Sequence, residues 1–193
     1  MFRIRFHGRG GQGMKTASRI LGSAFFLADY EVQDAPRYGA ERRGAPIFAY
    51  VRASRQLINE RGIIGQPDLV VVADDSLVSL PAAGVLQGLR QHTVMLINSH
   101  DAPEVWKDRL NTAATVLILP AMEDSEDRAD LPFVGTACAA AAACLVGVIS
   151  RDLVLEAIRV ELAALGSQLV ERNSNTALRV YDAMVAQAGC VTE

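Results

Sequence analysis

Cysteine is scarce. Cys138, Cys144 and Cys190 are the only three in 193 residues, and no CxxC, CxxxC or Cys/His cluster occurs. The chain alone therefore supplies neither an iron–sulfur ligand set nor a zinc site. An odd count at wide spacing also argues against a disulfide scaffold and points to the reducing cytoplasm. Lysine is scarcer still: Lys15 and Lys107 stand alone in a chain that otherwise uses arginine. Aromatic residues are 6% of the sequence, and neither a fibrous nor a low-complexity composition appears. Net positive charge is lacking too, at −3 overall, which excludes a dedicated nucleic-acid binder.

What is present is apolar. Half of the residues are hydrophobic, too many for a disordered protein. The length suits a single domain over residues 1–193, with a sheet-forming α/β part at 1–120 and a helical part at 131–188. Charge is split along the chain. Residues 1–62 hold 11 Lys and Arg against 5 Asp and Glu, a net of +6, whereas 63–193 hold 8 against 17, a net of −9. Such a split places an anionic partner near the start of the chain.

Phe2, Ile4 and Phe6 alternate with Arg3, Arg5 and His7, the period of a half-buried strand rather than a signal peptide. Gly8-Arg9-Gly10-Gly11-Gln12-Gly13 ends it, and from Met14 to about Tyr30 the apolar spacing is helical. The Gly-, Pro- and Arg-rich stretch from Asp34 to Pro46 reads as a loop before a strand at Ile47 to Val51. Leu69–Ala73, Thr93–Asn98 and Thr115–Leu119 read as buried strands, with a short helix at Pro103–Leu110. Together these give an α/β fold: a three-layer α/β/α Rossmann-like sheet, at least partly parallel, with a helical C-terminal portion. After an acidic stretch, Phe133 to Ile149 carries no charge. It is short for a membrane span and rich in Ala, Gly and Thr, so it reads as a buried, closely packed helix. Ser150 caps a helix with Leu155, Ile158, Leu162 and Leu165 on one face, and a last helix spans about Gln168 to Ala186. His7, His92 and His100 fall at strand ends and are taken as structural.

A strand feeding a glycine loop that opens a helix is suited to anions, because glycines let the backbone approach and free N–H groups point outward. Gly8, Gly10 and Gly13 have the GxGxxG spacing, Arg9 lies inside the loop, and Lys15 and Thr16 occupy the first helical turn. A ligand-free tight turn is the plain alternative. NAD would need an acidic residue about 20 residues on at the end of the second strand; Asp34 is the candidate, though it abuts Ala35-Pro36. A second segment, Pro36-Arg37-Tyr38-Gly39-Ala40-Glu41-Arg42-Arg43-Gly44-Ala45-Pro46, suits a stiff recognition loop or an ordinary exposed one.

In this order and at this spacing, the two motifs resemble the gamma subunit of 2-oxoacid:ferredoxin oxidoreductases, pyruvate-type enzymes included. Val71-Val72-Ala73-Asp74, Leu96-Ile97-Asn98 and Gly135-Thr136 fit as well. The resemblance implies a subunit that is not catalytic by itself, in a complex that oxidatively decarboxylates a 2-oxoacid with CoA to acyl-CoA and CO₂. It implies thiamine diphosphate with Mg between alpha and beta subunits, [4Fe-4S] clusters in beta and in a ferredoxin-like delta subunit or domain, and ferredoxin or another acceptor. CoA binding carries over to Gly8, Gly10, Gly11, Gln12, Gly13, Lys15 and Thr16. Contact with partner subunits carries over to Tyr38, Gly39, Glu41, Arg42 and Arg43. A stand-alone NAD(P)-binding oxidoreductase domain and a purely structural subunit are the alternatives.

Overall fold

The structure is a computed structural model and describes residues 1–37, 44–120 and 133–193. Six strands form one mixed sheet in the order β2-β3-β1-β4-β5-β6. They are β1 (Phe2–Arg9), β2 (Glu31–Arg37), β3 (Pro46–Ser54), β4 (Leu69–Val72), β5 (Val94–Ile97) and β6 (Thr115–Ile118). Five helices accompany them: α1 (Met14–Leu27), α2 (Pro103–Leu110), α3 (Val134–Val146), α4 (Arg151–Leu162) and α5 (Ser167–Met184). β1 is central. It runs antiparallel to β3, with Phe2 opposite Ala53, and parallel to β4, with Ile4 opposite Leu69. The runs Leu-Val-Val-Val and Val-Met-Leu-Ile of β4 and β5 are buried throughout, as parallel strands covered on both faces must be.

One face of the sheet carries the larger core. Phe2, Ile4 and Phe6 of β1 meet Ile20, Leu21 and Phe25 of α1, and α3, α4 and α5 complete the layer. Full burial of each such side chain contributes about 1.5–3 kcal/mol. All thirteen residues of α3 are buried, as the uncharged stretch predicts, and Gly147 in the left-handed region ends the helix. No helix of the described residues is long and apolar enough to cross a membrane. Ser150 caps α4 by accepting a hydrogen bond from the Leu153 amide.

The far face is divided. Beneath β4, β5 and β6, Val72, Met95 and Ile97 pack on Leu77, Val85 and Trp106, so α2 and the turns around it form the thin third layer. Beneath β1 and β3 the face is basic: Arg5, His7, Tyr50 and Arg52 are all buried.

Three expectations need correction. β1 is not half-buried, because Arg5 and His7 are only 4% and 2% exposed. Carbonyl oxygens of chain segments crossing this face accept from them: Arg5 Nη2 donates to Val85 O at 2.9 Å and His7 Nδ1 to Ala83 O at 3.1 Å. Asp34 to Arg37 is strand rather than loop. β2 is an edge strand, and an edge tolerates Pro36 because one side of its backbone needs no partner. Leu165 is 57% exposed instead of packed, since the chain leaves α4 after Leu162. The acidic stretch from Glu123 to Asp130 lies outside the described residues.

Candidate functional site

The glycine loop is built from the carboxyl end of β1 and the start of α1. At Gly8 a β-carbon would lie 2.5 Å from Met14 Cγ, so the strand can turn into the helix here only without a side chain. Gly13 is the N-cap of α1 at φ +74° and Gly11 has φ +102°, both in the region that favours glycine. Gln12 closes the loop on itself: its Oε1 accepts from the Arg9 amide at 2.8 Å, and its own amide donates to Arg9 O at 3.0 Å.

Arg9 is committed to the protein. Its Nε donates to Asp74 Oδ2 at 2.8 Å, its Nη2 to Ser76 Oγ at 2.7 Å and its Nη1 to Gly44 O at 3.0 Å. Asp74 lies two residues past the end of the buried strand β4, at the carboxyl edge of the sheet where α/β folds bind ligands. It also accepts from the Ser76 amide and from Gln12 Nε2. The guanidinium inside the loop is thus offset by a carboxylate, and backbone rather than Arg9 must supply the positive character of the site.

That backbone comes from two helices. Gly135, in the first turn of α3, approaches so closely that a β-carbon there would lie 2.6 Å from Gly13 O. α1 and α3 therefore begin side by side. Neither N-cap residue, Gly13 or Phe133, has a side chain that can accept from its helix. Each helix start carries the equivalent of about half a positive charge, so their convergence concentrates positive potential here without side-chain charge.

The loop and the two helix starts line a cleft of about 570 Å³. Its polar end holds Gly10, Gly11, Gln12, Gly13 and Thr16. Its other wall is apolar, made by Leu162, Leu165 and Leu169 from the α4–α5 corner. Between them, buried Thr136 donates to Asn173 Oδ1 at 2.5 Å, and Asn173 Nδ2 donates to Leu169 O at 2.8 Å.

Five of the seven loop residues singled out from the sequence line this cleft. Gly8 serves the turn instead, and Lys15, exposed on α1, does not line the cleft but lies in the field of Asp34. Burial raises the Asp34 carboxyl above the usual carboxylate range, opposed by Ser18, Arg19 and Lys15 of α1. For a dinucleotide its placement is wrong: Asp34 is mid-strand, and β3 separates β2 from β1. Tyr38, Gly39, Glu41, Arg42 and Arg43 lie outside the described residues. Just after them the chain is stitched to the glycine loop, through Gly10 N to Ala45 O at 2.9 Å and Gly44 N to Gly10 O at 3.3 Å. Sequence reasoning missed Asn173 and the leucine wall, which converge only in three dimensions. Asp74 and Gly135-Thr136 were visible as motif residues without a role.

Comparison with known proteins covers nearly the whole chain. A family model described as pyruvate ferredoxin/flavodoxin oxidoreductase matches residues 3–183. The pyruvate/ketoisovalerate oxidoreductases common subunit gamma of Pyrococcus furiosus is 36% identical over 94% of this chain and 96% of its own length. Pyruvate synthase subunit PorC of Methanocaldococcus jannaschii is 35% identical over 98% of this chain and 100% of its own. The crystal structure of the pyruvate oxidoreductase subunit PORC from Thermotoga maritima superposes with a TM-score of 0.75 at 28% identity, covering 94% of this chain and 95% of that one.

Proposed function

Because the chain belongs to the pyruvate ferredoxin/flavodoxin oxidoreductase family, as a gamma-type subunit, we propose that it brings the CoA-binding surface to a complex oxidising a 2-oxoacid. The observation that carries this reading is the convergence of two uncapped helix starts on the glycine loop, facing a leucine wall across one cleft. CoA has both kinds of group: phosphates, and a long pantetheine arm whose methyl and methylene groups lie between its two amides. The phosphates would lie against the first turns of α1 and α3, held by backbone N–H groups and the Thr16 hydroxyl. The arm would run along Leu162, Leu165 and Leu169, whose burial beneath it would offset the exposure of Leu165 and Leu169. When bound, CoA supplies the thiol that accepts the acyl group. The chain orients that cofactor and holds no reacting atom itself.

The redox centres belong to partners in this reading. Cys138 and Cys144 are buried in α3, and burial pushes the Cys138 thiol up to about 12, the opposite of what a metal thiolate needs. The [4Fe-4S] clusters would therefore reside in beta and delta subunits; by the family resemblance, thiamine diphosphate with Mg would lie between alpha and beta, and the complex in the cytoplasm. Tyr38, Gly39, Glu41, Arg42 and Arg43 would contact alpha or beta.

Thr16→Asp tests the CoA assignment. A carboxylate in the first turn of α1 favours the helix but repels a phosphate. The complex should therefore assemble with unchanged stability while its apparent KM for CoA rises at least tenfold; Thr16→Ser should be neutral. A purely structural subunit would give an unchanged KM in both variants.

A further inference from the structure

A second cavity, about 360 Å³, lies on the face of the sheet away from α1 and α3. Arg5 and His7 of β1 form its polar floor, and Phe48 and Ile64 are among its apolar walls. Burying a guanidinium costs several kcal/mol unless an anion compensates it. Other arginines of β1 and β3 have one: Arg3 meets Glu60 at 2.7 Å, Arg52 meets Glu60 at 3.5 Å and Arg9 meets Asp74 at 2.8 Å. Among the described residues Arg5 has none: its guanidinium donates only to the carbonyl oxygens of Ile64 and Val85, its buried Nε has no hydrogen-bond partner, and the Tyr50 phenol is the neighbour that favours its charge.

His7 beside it adds no second charge. Its Nδ1 faces a carbonyl, which can only accept, so Nδ1 carries the hydrogen and the buried Nε2, also without a partner, carries the lone pair. Burial and the neighbouring Arg5 push its pKa down to about 3, which keeps the ring neutral near pH 7. Among the described residues the cavity thus has one positive charge without an anion beside it, a planar fork of donors and apolar sides. It reaches solvent past Ile63, which is 59% exposed, and past exposed Ala82.

We propose that this cavity binds a short-chain monocarboxylate, with Arg5 holding the carboxylate and Phe48 and Ile64 enclosing the tail. A guanidinium matches a carboxylate in shape as well as charge. One charge calls for a monoanion, and the volume falls within the range of small-molecule sites. The site is separate from the glycine-loop cleft, so its occupancy does not depend on whether CoA binds there.

Saturation-transfer NMR on the full chain with butyrate tests this, with butyramide as the neutral counterpart. Butyrate methyl protons should show transfer, and butyramide at the same concentration should show at most a tenth as much. Ala82→Phe, which fills the mouth from an exposed turn, should reduce the butyrate signal at least tenfold. Arg5→Met should do the same where it folds; Ala82→Phe decides if it does not. No transfer from butyrate, equal transfer from butyramide, or a full signal in Ala82→Phe would overturn the proposal.

Discussion

Gly135 rests on the carbonyl of Gly13, and a single β-carbon at Gly135 would stand 2.6 Å from that oxygen. In an open helix Gly→Ala stabilises by up to about 1 kcal/mol. Here the neighbour is backbone, which cannot rotate away, and overpacking of this kind costs about 1–3 kcal/mol. Gly135→Ala should therefore lower the urea midpoint despite its better helix propensity. Because the displaced element is the start of α3, the same variant should also weaken apparent CoA affinity in the assembled complex.

Asp74 holds the loop together from outside it. Removing its carboxylate leaves Arg9 Nε and the Ser76 amide without their acceptor. Asp74→Ala should cost about 2 kcal/mol in chemical denaturation. A double-mutant cycle with Arg9→Met should return a coupling of about 1 kcal/mol or more. Additive effects would mean that the two side chains act separately.

His7 sets a pH dependence with a definite sign. In the unfolded chain it titrates near 6.5, whereas in the folded chain burial holds it near 3. Between those values the unfolded state takes up a proton that the folded state refuses, so stability falls as pH drops below 6.5. The loss is about 2 kcal/mol at pH 5. Asp34 and Asp68, raised by burial, work in the opposite direction. Comparing the chain with His7→Gln at each pH cancels them, and the difference in unfolding free energy should shrink steadily between pH 7 and pH 5.

The thiols should divide by position. Cys190 is exposed, whereas Cys138 and Cys144 are buried in α3. A chromogenic disulfide reagent at pH 8 should titrate one thiol quickly in the native chain and three in denaturant. Rapid reaction of all three without denaturant would show that α3 opens readily.

How much of this was legible in the sequence depends on whether the signal is local. The helix at Pro103–Leu110 carries proline at its first position, and its expected and observed bounds agree. The uncharged stretch gave the buried helix α3 for the same reason: no partner is needed to see that it carries no charge. The glycine loop was legible because Gly8, Gly11 and Gly13 each answer a constraint within a few residues. What failed was non-local. Arg5 and His7 looked solvent-facing because the carbonyls of Ile64, Ala83 and Val85 that satisfy them lie far along the chain. The second half of β2, Asp34 to Arg37, looked like loop because proline is punished in a sheet interior and forgiven at an edge, and edge position is a property of the whole sheet. The apolar wall of the cleft arises where the end of α4 and the start of α5 meet a loop from the opposite end of the chain.

The central place of β1 has a temporal side. β1 leaves the ribosome before its neighbours β3 and β4, so Ile4 waits for Val51 on one side and Leu69 on the other. Its helix-side cover includes α3, later still in the sequence. Such long-range pairings make folding slow relative to local helix formation. During synthesis β1 and α1 must therefore persist as an unfinished pair, apolar faces open, until most of the chain has emerged. A nascent-chain series truncated before Leu69 should remain protease-sensitive at β1, and protection should appear only once β4 and α3 are both available.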